Sequence, residues 1–147
     1  MPSTAPLLDL VSLSGGHPPR THRSDLSTCA APVRVARRFV HAALDSSPYA
    51  DEVALVASEL VTNAQKHTPG ADRLVLEVYG TALAVLTVCD RGDDPRTVTA
   101  RTAGPQDTDG RGLLLVSALA AGWFAQTVPG GGTGVSAVFD LSAKPTG

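Results

Sequence analysis

Apolar side chains in the first half of the chain recur at the spacing of amphipathic helices. They repeat every three or four positions in residues 32–44 and again in residues 49–67. Pro32 suits the first turn of a helix, because its missing N–H needs no partner there. The second pattern stops at Thr68-Pro69-Gly70, which opposes continuation of a helix. The sequence therefore predicts two helices with these bounds, and the apolar stripe of the second is Val53, Val56, Leu60 and Ala64.

The pattern then changes to that of strands. In residues 73–79 one face carries Leu74, Leu76 and Val78 and the other carries Arg73, Val75 and Glu77. A turn is predicted at Gly80-Thr81, before residues 82–89, which are nearly all apolar. A strand that is apolar on both faces is expected at the centre of a sheet. The same criteria predict a short helix and two closing strands at residues 113–121, 123–128 and 133–141.

This order of elements is typical of an α+β fold. We expect a two-layer sandwich, in which a mixed, mainly antiparallel sheet is covered on one face by about three helices. Residues 1–24 are rich in Pro, Ser, Gly and Thr and are predicted to form a flexible leader, with one short strand at residues 7–13. Residues 25–147 are predicted to form a single domain. The polar segment 90–112 is long for a loop, which favours a functional role such as a lid.

Composition narrows the class of protein. Apolar residues make up 43% of the 147 and aromatic residues only 4%, so the core is expected to be aliphatic. The net charge of -2 offers no basic footprint for direct nucleic-acid binding. No apolar run is long enough to span a membrane, and two cysteines, Cys29 and Cys89, are too few for a disulfide framework. We expect a cytoplasmic protein with reduced thiols.

Basic side chains cluster away from the apolar face of the first helix. They are Arg34, Arg37, Arg38 and His41. The sequence is compatible with two interpretations, a surface that meets an acidic partner and the solvated side of an ordinary helix.

Glu59 and Asn63 are the first candidates for chemistry. They lie four residues apart on the second helix, so their side chains are neighbours at the edge of its apolar stripe. A carboxylate there can orient or deprotonate a hydroxyl, and an amide oxygen suits Mg²⁺. By itself the pair is more typical of an ordinary hydrogen bond at a helix edge.

Asp90-Arg91-Gly92 follows the predicted central strand. A buried carboxylate at a strand end can accept a hydrogen bond from an exocyclic amine such as that of adenine. Gly92 permits close approach of the backbone or a positive φ. An ordinary turn is the alternative.

Two further glycine-containing segments complete the set. Gly110-Arg111-Gly112 opens the last predicted helix, whose N-terminal N–H groups and dipole suit phosphate oxygens. Thr133, between two glycines at the start of the last strand, offers a hydroxyl that both donates and accepts. Taken separately, these segments are also typical of a hinge and a turn.

The order and spacing of these segments resemble a known family. Glu59-Leu60-Val61-Thr62-Asn63-Ala64 resembles the N box of the histidine-kinase-like (GHKL, Bergerat-fold) ATPases. Asp90-Arg91-Gly92 and Gly110-Arg111-Gly112-Leu113 are similar to its two glycine boxes. The amino-acid sequences of these motifs are most similar to the anti-sigma-factor serine/threonine kinase branch. The resemblance covers about residues 26–141.

The resemblance implies a role for each residue. Glu59 is expected to be the general base, Asn63 to bind Mg²⁺, and Asp90, helped by Thr133, to bind the adenine amino group next to Gly92. The triphosphate is expected to lie against Gly110, Arg111, Gly112 and Leu113, with residues 93–109 as the ATP lid. Lys66 and His67 follow Asn63, and His67 is the better placed to reach phosphate because it lies four residues on.

The function implied is that of an ATP- and Mg²⁺-dependent serine/threonine kinase. Its substrate would be an anti-anti-sigma (STAS-type) protein, and it would act as an anti-sigma factor by holding a sigma factor. The resemblance also leaves room for a homodimer. An alternative is a protein-interaction module in transcription regulation that binds ATP weakly or not at all, which the acidic Asp93-Asp94 after Gly92 favours. ATP hydrolysis with water as acceptor would use the same residues.

Overall fold

The structure is a computed structural model that describes residues 18–45, 47–92, 111–128 and 132–142. Within these ranges three helices and five strands form two layers. In chain order the elements are β1 (Arg20–Asp25), α1 (Pro32–Ala43), α2 (Ala50–His67), β2 (Ala71–Tyr79), β3 (Leu83–Asp90), α3 (Arg111–Leu119), β4 (Gly122–Thr127) and β5 (Thr133–Asp140).

The strands form one sheet in the order β1-β2-β3-β5-β4. Every pairing among the described strands is antiparallel, so the mixed component that the sequence suggested is not found in them. β3 lies at the centre, as its apolar composition predicts, and seven of its eight residues are buried. The prediction of an α+β, mainly antiparallel two-layer sandwich is confirmed.

The main core lies between the helices and one face of the sheet. Alternate residues of the central strands, such as Leu76, Leu86 and Ala137, point to the helices and are fully buried. The predicted stripe of α2 is buried against them, with Val53 and Val56 completely inaccessible. Burial of this aliphatic surface, worth about 25 cal/mol per Å², is what stabilises the two layers.

The opposite face of the sheet carries a smaller apolar cluster. Tyr79, Leu83 and Val85 are buried there, next to Ala82 and Val138. On the same face the hydroxyls of Thr87 and Ser136 share a hydrogen bond of 2.7 Å between facing positions of β3 and β5. This pair adds a side-chain contact between the two strands that carry the candidate site.

The predicted bounds hold to within about two residues for the elements that the sequence identified. β1 is the exception, since it occupies residues 20–25, where no strand was expected. The predicted strand at residues 7–13 and the predicted lid at residues 93–109 lie outside the described residues. The division into a leader and a single domain stays a prediction.

Both cysteines are free thiols. Cys89 is buried in β3, and this burial raises the pKa of its thiol. None of the described helices has both the length and the apolar character needed to cross a lipid bilayer.

Candidate functional site

The end of β3 and the start of β5 form the centre of the candidate site. Asp90 is the last residue of β3 and Thr133 the first of β5, and they face each other in the β3–β5 ladder. Both are buried, with 6% and 2% of their surfaces exposed. A buried carboxylate needs hydrogen-bond donors to offset the loss of water. Oδ1 of Asp90 has one in the N–H of Gly92, at 2.6 Å.

The backbone at Gly92 is held from both sides. Its N–H donates to Asp90, and its carbonyl oxygen accepts a hydrogen bond of 3.0 Å from the hydroxyl of Thr133. A Cβ on Gly92 would lie 3.0 Å from Oδ1 of Asp90 and 3.3 Å from the Thr68 methyl group. Gly92 does not have a positive φ. Of the two reasons for glycine that the sequence left open, close approach is therefore the one that applies.

Glycine is also required at position 132, for a reason that differs from the one at Gly92. The φ of Gly132 is +91°, and a Cβ there would come within 2.2 Å of the backbone carbonyl oxygen of Asp90. Any side chain at this position would displace the strand end that carries the carboxylate. The sequence placed Gly132 in a turn without giving it this role.

The C-terminal end of α2 lies beside the same strand end. The N–H of Arg91 donates to the carbonyl oxygen of Gly70 at 3.3 Å, which links the end of β3 to the connection that follows α2. The hydroxyl of Thr68 donates to the carbonyl oxygen of Ala64 at 2.6 Å and accepts from the N–H of Gly70 at 3.1 Å. Thr68 thus ends the helix and turns the chain, while its methyl group lies against Gly92.

Thr68 was missed as a site residue. The sequence identified it only as part of a helix-terminating segment, and its contact with Gly92 depends on how α2 packs on β3. The sequence offered one indication of a role for Thr68, which is its position directly after His67 and five residues after Asn63.

Asn63 and Glu59 lie on the last turns of α2. Asn63 is buried, with 7% of its surface exposed, whereas Glu59 is half-buried. The Asn63 side chain makes no hydrogen bond within the part of the chain that the structure describes, but its amide atoms are not among the fully buried polar atoms left without a partner there. A neutral oxygen in this state suits a hard cation such as Mg²⁺, which takes one or two protein oxygens and otherwise keeps water and phosphate ligands. His67 is the last residue of α2 and is half-buried.

No group of three or more His, Cys, Asp or Glu side chains with metal-binding geometry occurs in the described ranges. A metal ion here would therefore depend on Asn63 together with the ligand's own oxygens.

α3 begins at Arg111, two residues before the predicted start, so residues 111–113 lie in its first turn. This confirms a helix N-terminus in the predicted glycine segment, where free N–H groups favour anions. α3 contacts α2 and β4. Gly110 lies outside the described residues, as do the side chains of Arg111 and Leu113, so the roles expected of Gly110, Arg111, Gly112 and Leu113 stay predictions.

Arg91 has a structural role at this edge. Its guanidinium group lies 3.8 Å from the carboxylate of Asp72 and donates to the carbonyl oxygen of Ser27 at 3.4 Å. Both partners are exposed, so the ion pair contributes little stability. Its effect is to attach the connection between β1 and α1 to the end of β3.

Comparison with known families gives the class of this protein. The model of the histidine kinase-like ATPase domain matches residues 23–138, which is well over half of the chain. The chain belongs to this family, as the motifs at Glu59–Asn63 and Asp90–Gly92 predicted, and the membership supports ATP binding. No curated protein matches the chain.

Proposed function

We propose that this chain is an ATP- and Mg²⁺-dependent protein serine/threonine kinase that phosphorylates an anti-anti-sigma (STAS-type) partner and also holds a sigma factor. The proposal is finer than the family, whose members share a fold without sharing a substrate. One observation carries it. Glu59 lies one helical turn before the buried Asn63, so a proton acceptor is a neighbour of the residue assigned to the metal.

The adenine end of the nucleotide is assigned to the β3–β5 edge. The Asp90 carboxylate accepts a hydrogen bond from the adenine amino group, and Gly92 leaves room for the ring to approach. Thr133 keeps Gly92 in place through the bond to its carbonyl oxygen. Its hydroxyl oxygen also retains lone pairs that can accept a hydrogen bond.

The phosphate end is assigned to α2 and to the start of α3. The Asn63 amide oxygen holds Mg²⁺, which neutralises phosphate charge when it is bound. His67, one turn further along α2, donates to a phosphate oxygen. Gly110, Arg111, Gly112 and Leu113 are assigned to the phosphate oxygens, because N–H groups at a helix N-terminus attract anions.

Transfer of the γ-phosphoryl group requires little covalent chemistry from the protein. The acceptor hydroxyl oxygen of the partner forms a bond to the γ-phosphorus, and the bond from that phosphorus to the β–γ bridging oxygen breaks, which releases ADP. Glu59 accepts the hydroxyl proton. Its half-buried position on α2 leaves the carboxylate open to a protein substrate on one side.

The test is transfer from γ-labelled ATP to a panel of purified STAS-type proteins. We expect Glu59→Gln and Glu59→Ala to reduce transfer by at least about 100-fold and to leave ATP binding within about twofold. Glu52→Gln, seven residues earlier on the same side of α2, is the matched control and should retain activity. Normal transfer by both Glu59 variants would show that the assigned role is wrong.

A different outcome would favour the alternative function. If wild-type protein binds a STAS-type protein or a sigma factor equally well with and without ATP and transfers no phosphate, the chain is an interaction module. Release of free phosphate without labelled protein would instead indicate ATP hydrolysis.

A further inference from the structure

The basic side chains of α1 form one continuous stripe on the protein surface. Arg34, Arg37, Arg38 and His41 stand at positions i, i+3, i+4 and i+7, so each has two of the others three or four residues away as surface neighbours. All four are exposed. We call these four side chains the α1 basic stripe.

The stripe opposes the stability of the helix that carries it. Like charges three and four residues apart repel each other. Arg34 also lies in the first turn of α1, which contains no acidic residue, and a cation there opposes the helix dipole. α2 has the favourable arrangement, with Asp51 and Glu52 in its first turn and Lys66 and His67 in its last. The stripe is therefore not explained by what the fold requires.

Carboxylates of the chain itself do little to neutralise it. In the part of the chain that the structure describes, none pairs with Arg34, Arg37 or Arg38. His41 lies 3.7 Å from Asp51, but that carboxylate is almost fully exposed. Three guanidinium groups thus keep their donors available to a ligand.

The stripe borders a groove. The groove has a volume of about 710 Å³, and the described residues that line it are the stripe together with Ala31, Pro32 and Val33. Pro32 and Val33 are half-buried, so they offer an apolar floor at the N-terminal end of α1. Cationic walls and a short apolar floor fit a ligand that carries carboxylates next to an apolar side chain.

We propose that this groove binds an acidic segment of a partner protein. The carboxylates of the segment pair with Arg34, Arg37 and Arg38, since guanidinium groups match carboxylates in a bidentate geometry. One apolar side chain of the segment packs on Pro32 and Val33. Binding neutralises the positive charges that repel each other within the stripe. Relief of this repulsion, which is present in the free protein, contributes part of the affinity.

Two other anionic ligands fit the surface less well. A single-stranded nucleic acid would stack its bases on Phe, Tyr or Trp side chains, and the described residues that line the groove include none of these three. A membrane-binding helix presents large exposed apolar residues beside its cations. The large exposed apolar residues among those described, Leu55 and Leu114, lie on α2 and α3 instead.

The groove is separate from the candidate ATP site. None of the seven described residues that line the groove is among those assigned to ATP. The proposal therefore stands whether or not the chain is a kinase.

The experiment is a titration of the full chain into a fluorescein-labelled eight-residue peptide of alternating Glu and Leu, followed by fluorescence anisotropy. We expect saturable binding that weakens as salt is raised. The Arg34→Glu/Arg38→Glu variant should bind at least about tenfold more weakly. Arg20→Glu/Arg23→Glu, a matched change of charge at exposed positions of β1, should bind as wild type does.

Arg34→Ala/Arg38→Ala provides a second variant that keeps α1 a good helix, and it should show the same loss. The proposal is overturned if stripe and β1 variants lose affinity equally, or if the stripe variants bind the peptide normally. Tighter, stripe-dependent binding of a single-stranded oligonucleotide or of anionic phosphatidylserine vesicles would also overturn it, in favour of those ligands.

Discussion

The hydroxyl of Thr133 donates a 3.0 Å hydrogen bond to the carbonyl oxygen of Gly92, although the two residues lie 41 positions apart in the sequence. The N–H of Gly92 is meanwhile held by Asp90. A residue whose N–H and carbonyl are both fixed by buried partners has little freedom to move. The edge assigned to adenine is therefore preorganised, and preorganisation reduces the entropy lost on binding.

Removal of the Thr133 hydroxyl should weaken both stability and ATP binding. Thr133→Val keeps the shape of the side chain but leaves the Gly92 carbonyl oxygen without its donor, which typically reduces the free energy of unfolding by about 1 kcal/mol. Urea denaturation and calorimetric titration with ATP measure the two effects. Thr133→Ser retains the hydroxyl and is the control. Equal ATP affinity in the Val variant would mean that this bond does not shape the site.

Gly132→Ala should be far more damaging than a glycine substitution elsewhere. A φ of +91° and a Cβ 2.2 Å from the carbonyl oxygen of Asp90 combine strain with a backbone clash. Such strain reduces the free energy of unfolding by about 1–3 kcal/mol before the clash is added. Gly80→Ala is the matched control, because Gly80 has a φ of +58° and nothing within 4 Å. Similar unfolding midpoints for the two variants in urea would contradict this account.

Cys89 should react slowly with thiol reagents. Burial raises the pKa of its thiol, so less of the reactive thiolate is present at a given pH than for an ordinary cysteine. In a Cys29→Ser background, we expect native protein to react with a chromogenic disulfide only at a pH above that at which the urea-unfolded protein reacts. Equal rates for the two states at pH 8 would show that Cys89 is accessible.

Arg34→Glu should stabilise the free protein. The substitution places an acid in the first turn of α1 and removes repulsion with Arg37 and Arg38, and we expect a gain of about 0.3–1 kcal/mol at low salt. Chemical denaturation at low and high salt measures it, since a gain of electrostatic origin should shrink as salt is added. Arg20→Glu on β1 is the control for net charge. A loss of stability at low salt would mean that Arg34 makes contacts that favour the fold.

The fold was predictable because its elements differ in periodicity. The apolar stripe of α2 fits only a helix, and the alternation in β2 fits only a strand. The residues of the stripe and the apolar face of β2 are buried as expected. β1 was missed because its sequence, from Arg20 to Asp25, is entirely polar and its residues are mostly exposed. Its identity as a strand comes from pairing with β2, which no local pattern contains.

The site was predictable in part, for a related reason. Asp90, Gly92 and Thr133 were each identified from local features and from their order, and the ladder between β3 and β5 brings them together. The clash that requires Gly132 and the contact between Thr68 and Gly92 depend on distances between elements. Sequence spacing does not give such distances, so these two contributions became visible only in the folded chain.

The measurement that tests the central claim most directly is calorimetric titration of wild-type and Asp90→Asn protein with ATP and Mg²⁺. Oδ1 of Asp90 accepts the N–H of Gly92, and an Asn oxygen can take over that bond only if its NH₂ group replaces Oδ2, where it would oppose the adenine amino group. We predict saturable binding by wild type and at least about tenfold weaker binding by the variant, with both proteins equally folded by circular dichroism. Equal affinity in the two proteins, or no binding by wild type at millimolar ATP, would contradict the assignment of Asp90 to adenine.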